Sequence, residues 1–436
     1  MPKITFVGAG SAVFTYEIIT DILATPALAA GTFALVDIDA ERLELVRRVA
    51  ELAVAKSGKS WRVEASIERR DVLAGTDYLI NTIEVAGLPN VRHDFDIPMK
   101  YGVNQCIGDT IGPGGLFKAL RTLPAWLDIL ADTGRLAPGA LVINYTNPMS
   151  ITCLVGIRAS KLPIVGLCHS IPHTAEQLAE YLGIPRDEIQ YRAAGVNHAA
   201  WLVELRRNGE DLYPLLREKA KIPAIYEQDP VRFEMMFHFG AFPTESSGHF
   251  SEYVPYFRKR PDLIKKYTRA AYLGETGFYA NNWPTWRRES DDEMRQMIAG
   301  KQAIELQRGP EYASYIIEAK ETNTPTLIYG NVLNTGLITN LPQTGVVEVA
   351  CLADRNGIQP TYFGALPAQL AAIDAAHIAF HELATTAVLE QNREAAVYAL
   401  MLDPLTAAVC SPAEIRAMFD EMATVEAPYL PNWTQQ

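Results

Sequence analysis

Residues 3–37 read KITFVGAGSAVFTYEIITDILATPALAAGTFALVD. Lys3 to Val7 has the content of a short buried strand, and Gly8-Ala9-Gly10-Ser11 follows it. Phe14, Ile18 and Ile22 then recur at helical spacing until Pro26 stops the helix, and Thr32 to Val36 forms a second apolar strand closed by Asp37. This strand–turn–helix–strand order is that of a dinucleotide-binding βαβ unit. Gly8 permits the tight turn, Gly10 lets a pyrophosphate approach the backbone, and Ser11 opens a helix whose N–H groups and dipole favour phosphate. Asp37 is placed to accept hydrogen bonds from ribose hydroxyls and would repel a 2′-phosphate, which favours NAD over NADP. Val13 stands where the third glycine of the fingerprint is expected.

Outward from this unit the alternation continues. Helix 41–56, strand 78–82, a helix near 117–131 and strand 140–144 predict a Rossmann-like, doubly wound parallel sheet over residues 1–165. Residues 166–436 read as a mixed α+β region for substrate, metal and oligomer contacts. Within it, 162–167 and 201–205 read as strands around the boundary and beyond it, 345–352 as a strand, and the Ala-rich stretch 368–402 as helical. The tail from Ala427 to Gln436 reads as loosely held.

The chain has 436 residues, 48% of them apolar, and a net charge of −12. Such acidity argues against nucleic acid and anionic membrane as partners, since both reward basic patches. No apolar run is long enough to span a bilayer, and no segment resembles a signal peptide. Five scattered cysteines suit a reducing cytoplasm and make no disulfide framework.

Three polar clusters fall at predicted strand ends or in Gly-rich loops. Asp109-Thr110-Ile111-Gly112-Pro113-Gly114-Gly115 precedes a helix carrying Arg121; it reads as a binding loop or, alternatively, a flexible surface loop. Asn144 to Pro148 is a turn that points an amide toward a cleft. Cys168-His169-Ser170 ends one strand and Gly195-Val196-Asn197-His198 opens another. Thiolate and imidazole suit a divalent first-row ion, although a buried Cys and a satisfied His would look the same. His173 reads equally as a helix cap, and His377 and His381 as helix surface or interface.

Taken together these motifs resemble glycoside hydrolase family 4, most closely its α-galactosidase branch. The likeness runs nearly end to end. It includes Gly8 to Ser11, Asp109-Thr110, Arg121-Thr122, Asn144 to Met149, Gly166 to Ser170 and Gly195 to His198. It continues through Thr244-Glu245-Ser246-Ser247, His249, Glu252-Tyr253, Tyr329-Gly330-Asn331, Asn340 to Gln343 and Val347 to Pro360.

The resemblance implies a glycosidase outside the two-carboxylate scheme. NAD takes a hydride from C3 of the sugar, the C2 proton is removed, the aglycone is eliminated, water adds and the hydride returns. It implies a divalent ion, manganese, on Cys168 and His198, with Asn147 and Asp109 on sugar hydroxyls and Asn147 also near the nicotinamide. His169 stands where some relatives carry an acid for the leaving group. The C2 base lies in the segment 242–256, which offers Glu245, His249, Glu252, Tyr253 and Tyr256; Glu245 and Tyr253 are the leading choices. The implied substrate is a melibiose-type α-galactoside. Alternatives are an α-galacturonide, for which Arg92 or Arg121 would supply a cation, an α-glucuronide or an α-glucoside. A 2-hydroxy-acid dehydrogenase or a non-catalytic NAD sensor would be the other classes. The resemblance further implies a homodimer or homotetramer.

Overall fold

The computed structural model describes residues 1–435, without the side chains of Ala12 and Val13. The consequence of Val13 for helix placement therefore lies outside the described residues.

The first half is the expected parallel sheet. Strands β1 (Lys3–Val7), β2 (Ala30–Val36), β3 (Ser60–Ser66), β4 (Tyr78–Asn81), β5 (Leu141–Asn144) and β6 (Ile164–Gly166) pair in parallel in the order β3-β2-β1-β4-β5-β6. Helices α1 (Ala12–Ala24), α2 (Ala40–Ser57), α3 (Gly87–Lys100), α4 (Gly112–Leu136), α5 (Met149–Ala159) and α6 (Ser170–Leu182) connect them or follow them. Ile4 and Phe6 of β1 and Phe33 and Leu35 of β2 are fully buried, each contributing about 1.5–3 kcal/mol of apolar burial. The local signals agree with this packing. Asp39 caps α2 by accepting from the Arg42 N–H at 3.1 Å, and Gly58 closes that helix in the left-handed region.

The second half extends the same sheet with antiparallel strands. These are β7 (Gln190–Val196), β8 (Ala199–Arg207), β9 (Glu210–Asp211), β10 (Phe242–Pro243), β11 (Thr326–Leu333), β12 (Val346–Asp354) and β13 (Gly357–Pro360). Beyond β6 the order is β11-β12-β7-β8-β10, with β13 on β12 and β9 on β8. Asn331 bridges to Gly166, and Glu348 to Gly195, so single bridges join the pieces. The result is one mixed sheet with helices, as the sequence predicts for fold class.

Several local expectations are corrected. The stretch 368–402 is two helices, Ala368–Leu389 and Arg393–Leu402, because Asn392 caps the second on the Ala395 N–H. His377 and His381 are buried rather than on a surface. The His377 ring reaches the Tyr253 carbonyl at 2.7 Å, while His381 Nδ1 has no partner. The tail is held: Thr434 is buried, its carbonyl accepts from Arg393, and Gln435 donates to the Ala423 carbonyl. The Gly-rich stretch is buried, and α4 begins within it at Gly112 rather than near Phe117.

Candidate active site

The carboxyl ends of four parallel strands and of β6 open onto one cavity of about 760 Å³. Gly8 and Gly10 follow β1, Asp37 follows β2, Thr82 to Glu84 follow β4, Tyr145 to Asn147 follow β5, and Leu167 to His169 follow β6. His198, Glu245, Ser246 and His249 enter from the antiparallel half.

The nucleotide end has the shape its sequence predicts. Gly8 has φ +87°, and a Cβ there would lie 2.6–2.7 Å from the Thr82–Ile83 backbone. A Cβ on Gly10 would meet Asp37 at 2.7 Å. Only glycines leave this cradle open to a pyrophosphate. The Asp37 carboxylate accepts from the Gly10 N–H at 2.7 Å, at the edge where an adenosine ribose would sit. Ser11 makes no side-chain cap, and the first turn of α1 carries no acidic residue, so the helix itself brings no anion to its N-terminus.

At the other end, donor atoms of Cys168, His198 and Glu245 all lie within 4.8 Å of one another. His198 Nε2 is 3.5 Å from Glu245 Oε2, whereas Nδ1 is 2.8 Å from the Thr110 hydroxyl. Thr110 thus fixes the ring and leaves Nε2 for a ligand. Sulfur, imidazole nitrogen and carboxylate oxygen form an apt donor set for a first-row dication. Asp109, His198 and His249 make a second, overlapping cluster. Burial pushes the Cys168 thiol well above its ordinary value, and Glu348 and Glu245 add to the effect. A dication at the same point reverses that sign and favours thiolate. Burial opposes ionisation of Glu245, yet His249 and His198 draw it down to about 2.

Between the two ends lies Asp109. Its Oδ1 accepts from Thr110 at 2.8 Å and its Oδ2 from the Asn147 amide at 2.9 Å. Burial works against its charge, but Lys118, His249 and His198 hold it at about 2. The Asn147 carbonyl oxygen is buried without a partner. That orphan acceptor faces the space where a ligand hydroxyl or amide would supply the missing donor.

His169 lies at the mouth, half exposed, with Nδ1 3.2 Å from Glu311 Oε1. A hydrogen bond donated to Glu311 raises its pKa against the effect of burial. His173 lines the same wall, its ring 5.5 Å from that of His169.

Three base candidates stand elsewhere. Glu252 is buried and accepts the backbone N–H groups of Cys106, Ile107 and Gly108, so it is a loop anchor. Tyr256 is exposed and packs on Phe239. The Tyr253 hydroxyl lies behind His198, 3.4 Å from Nδ1, and does not line the cavity. Of the two arginines considered for a uronide, Arg121 is buried between Asp94 and Glu426, and Arg92 pairs with Asp96 on the surface.

Sequence reasoning missed Lys118, whose ammonium meets Glu84 at 2.7 Å in the cavity wall, and Glu311. A lysine on the buried face of a helix opening with Gly112-Pro113-Gly114 was a readable signal for the first. Glu311 lies 142 residues from its partner and carried none.

The family 4 glycosyl hydrolase profile matches residues 3–184, and the profile of that family's C-terminal domain matches residues 193–406. The chain belongs to glycosyl hydrolase family 4. It is 40% identical to an α-galactosidase of Bacillus subtilis, with 99% of this chain and 100% of the relative aligned. It is 36% identical to an α-galactosidase of Rhizobium meliloti, over 99% of this chain and 89% of that one. A solved 6-phospho-α-glucosidase from gut microorganisms, in complex with NAD and Mn²⁺, superposes with a TM-score of 0.83 over 99% of each chain. At 20% identity that match speaks to fold alone. The clusters at the two ends of the cavity are thus features of a family 4 enzyme.

Proposed function

We propose that this family 4 enzyme hydrolyses α-galactosides and uses NAD and a divalent ion, manganese by preference. The observation that carries the reading is the single cavity shared by the Gly8–Gly10 cradle and the Cys168–His198–Glu245 donor set. Full-length identity to α-galactosidases directs it to that sugar.

NAD bound along Gly8, Gly10, Ser11 and Asp37 supplies an acceptor, and later a donor, for the C3 hydride. Cys168, His198 and Glu245 would hold a divalent ion, which would supply Lewis acidity to the sugar hydroxyls. The protein does the rest. Asn147 and Asp109 bind hydroxyls and set C3 against the cofactor. Thr110 and Tyr253 hold the His198 ring from behind. His249 faces the cavity beside Asp109 and takes the C2 proton. His169, anchored by Glu311 at Nδ1, presents Nε2 to the aglycone oxygen and gives it a proton. Water then adds to the unsaturated sugar, so that the net reaction is hydrolysis and NAD is regenerated.

A uronide is the less favoured substrate because its carboxylate wants an uncommitted cation. Among the described residues of the wall, Lys118 is paired with Glu84 and Arg42 with Asp291, and Arg287 stands at the nucleotide end beside Asp39 and Asp37, away from the Cys168–His198–Glu245 set. We infer a homodimer or homotetramer acting in the cytoplasm. Among the described residues no helix is long and apolar enough to cross a membrane.

Hydrolysis of an α-galactoside in D2O is the test. Elimination through C2 places deuterium at C2 of the released galactose. Product free of deuterium would sink the mechanism, and faster turnover of a galacturonide would overturn the substrate.

A further inference from the structure

The helix Phe278–Ile298 belongs to the C-terminal half, yet it lies across the nucleotide half. Arg287, Asp291 and Arg295 are four residues apart and so share one face. They meet the start of α2 with alternating sign. Arg295 reaches Glu41 at 3.3 Å, Asp291 reaches Arg42 at 2.9 Å, and Arg287 comes no closer than 3.9 Å to Asp39. The first two clasp the helix over the groove. The third is different. Arg287 is half buried and lines the cavity opposite Gly8, Gly10, Ser11 and Asp37, together with Trp283, Trp286 and Ser290 of the same helix. Burial and the nearby Arg42 act against its charge, and Asp291, Asp39 and Asp37 only partly offset them. A cation that faces a cavity with its nearest carboxylate at 3.9 Å is poised for an anion from outside the chain.

We propose that Arg287 binds a phosphate of the adenosine half of the dinucleotide, so that this helix is a strap that keeps the cofactor in place between turnovers. The inference rests on the NAD reading above. It explains how a cofactor that must survive oxidation, elimination and re-reduction stays in a groove that the parallel sheet alone leaves open on one side. The phosphate is in the pyrophosphate, since NAD carries none on the ribose 2′ position and Asp37 disfavours one there.

Binding of ADP, 2′-AMP and adenosine to the full-length protein, followed by calorimetry or Trp fluorescence, separates the cases. Arg287→Ala should weaken ADP by about tenfold or more, the size expected for a lost charge-assisted contact, and leave adenosine and 2′-AMP unchanged. Loss for ADP alone assigns the pyrophosphate, and loss for 2′-AMP alone overturns the assignment. Arg287→Lys should recover part of the affinity, and NAD should dissociate faster from Arg287→Ala during gel filtration. Equal binding of all three probes by variant and wild type overturns the proposal, as does an equal loss that includes adenosine. A wild-type protein that binds neither NAD nor ADP would instead refute the cofactor reading itself. Melting temperature and Mn²⁺ affinity of the variant should match wild type, which excludes a folding defect.

Discussion

The two halves of the sheet solve the same backbone problem in opposite ways. Each needs a residue with positive φ at the end of a strand, facing the cavity. The parallel half uses glycine: Gly8 sits at φ +87° without a side chain to strain. The antiparallel half places functional side chains there instead, His198 at φ +63° in the β7–β8 hairpin and Glu245 at φ +75° after β10. A non-glycine residue in that region costs of order 1 kcal/mol or more, and such strain gathers where a side chain must be aimed. The nucleotide end is therefore shaped by what is absent, and the metal end by side chains held at a cost in stability.

Substitution at the metal end should separate function from folding. His198→Asn removes a donor but keeps a residue that tolerates positive φ. We expect turnover to fall by about a thousandfold, or roughly 4 kcal/mol of barrier, with melting of the metal-free protein unchanged or slightly higher. Cys168→Ser should behave alike. Chelation of wild type should give the same loss and added Mn²⁺ should reverse it. Steady-state rates beside calorimetric melts check this; a variant that loses activity only in proportion to folded fraction would break the comparison.

The reverse is expected at the nucleotide end. In Gly8→Ala a Cβ meets the Thr82–Ile83 backbone at 2.6–2.7 Å, at an unfavourable φ. Strain of about 1–3 kcal/mol should lower the melting temperature and weaken NAD about ten- to a hundredfold. Mn²⁺ binding, read by electron paramagnetic resonance, should persist. Loss of both ligands together would mean that the two ends are not separable.

Legibility follows the same division. The β1–α1–β2 unit was readable because its signals are local: an apolar strand, a glycine turn, a helical period and a closing acid within residues 3–37. The antiparallel half was readable only in part: 201–205 falls within β8 and 345–352 overlaps β12. Its strands β7 and β11 escaped notice, and the site they support joins Cys168 to His198 and Glu245 across 30 and 77 positions of chain. Cys168 and His198 stood out as strand-end donors from the residues themselves, whereas Glu245 stood out only through family resemblance. Lys118 with Glu84, and Arg287, were missed because tertiary packing alone brings them to the cavity, as it alone brings Glu311 to His169. The buried fate of His377 and His381 was misread because an Ala-rich helix shows little difference between its faces.

Thr110 sharpens the metal end further. Its hydroxyl links Asp109 and His198 Nδ1, both at 2.8 Å. Thr110→Val keeps the shape and removes the link. Outer partners of this kind are worth about ten- to a hundredfold in metal affinity, so Mn²⁺ should weaken by about tenfold while NAD affinity holds. An unchanged Mn²⁺ affinity would show that hairpin strain alone aims the His198 ring.

The smallest effect concerns how the antiparallel half is braced. The helix Ala368–Leu389 presses His377 and His381 against it, both fully enclosed. Burial lowers His377 from 6.5 to about 4 and His381 to about 3. Above pH 6.5 both are neutral in the folded and unfolded chain alike. Below it the unfolded chain takes up protons that the folded chain refuses, so stability falls as the pH drops from 6.5 through 4 toward 3. His381 has no hydrogen-bond partner at Nδ1, so His381→Leu loses no observed bond there and roughly preserves volume. The variant should equal wild type within about 1 kcal/mol at pH 7.5 and lose less stability than wild type at pH 4.5. Urea unfolding at the two pH values measures the difference. Parallel losses in both proteins would mean that His381 finds a counter-charge on acidification, and that the brace is more open to water than its enclosure implies.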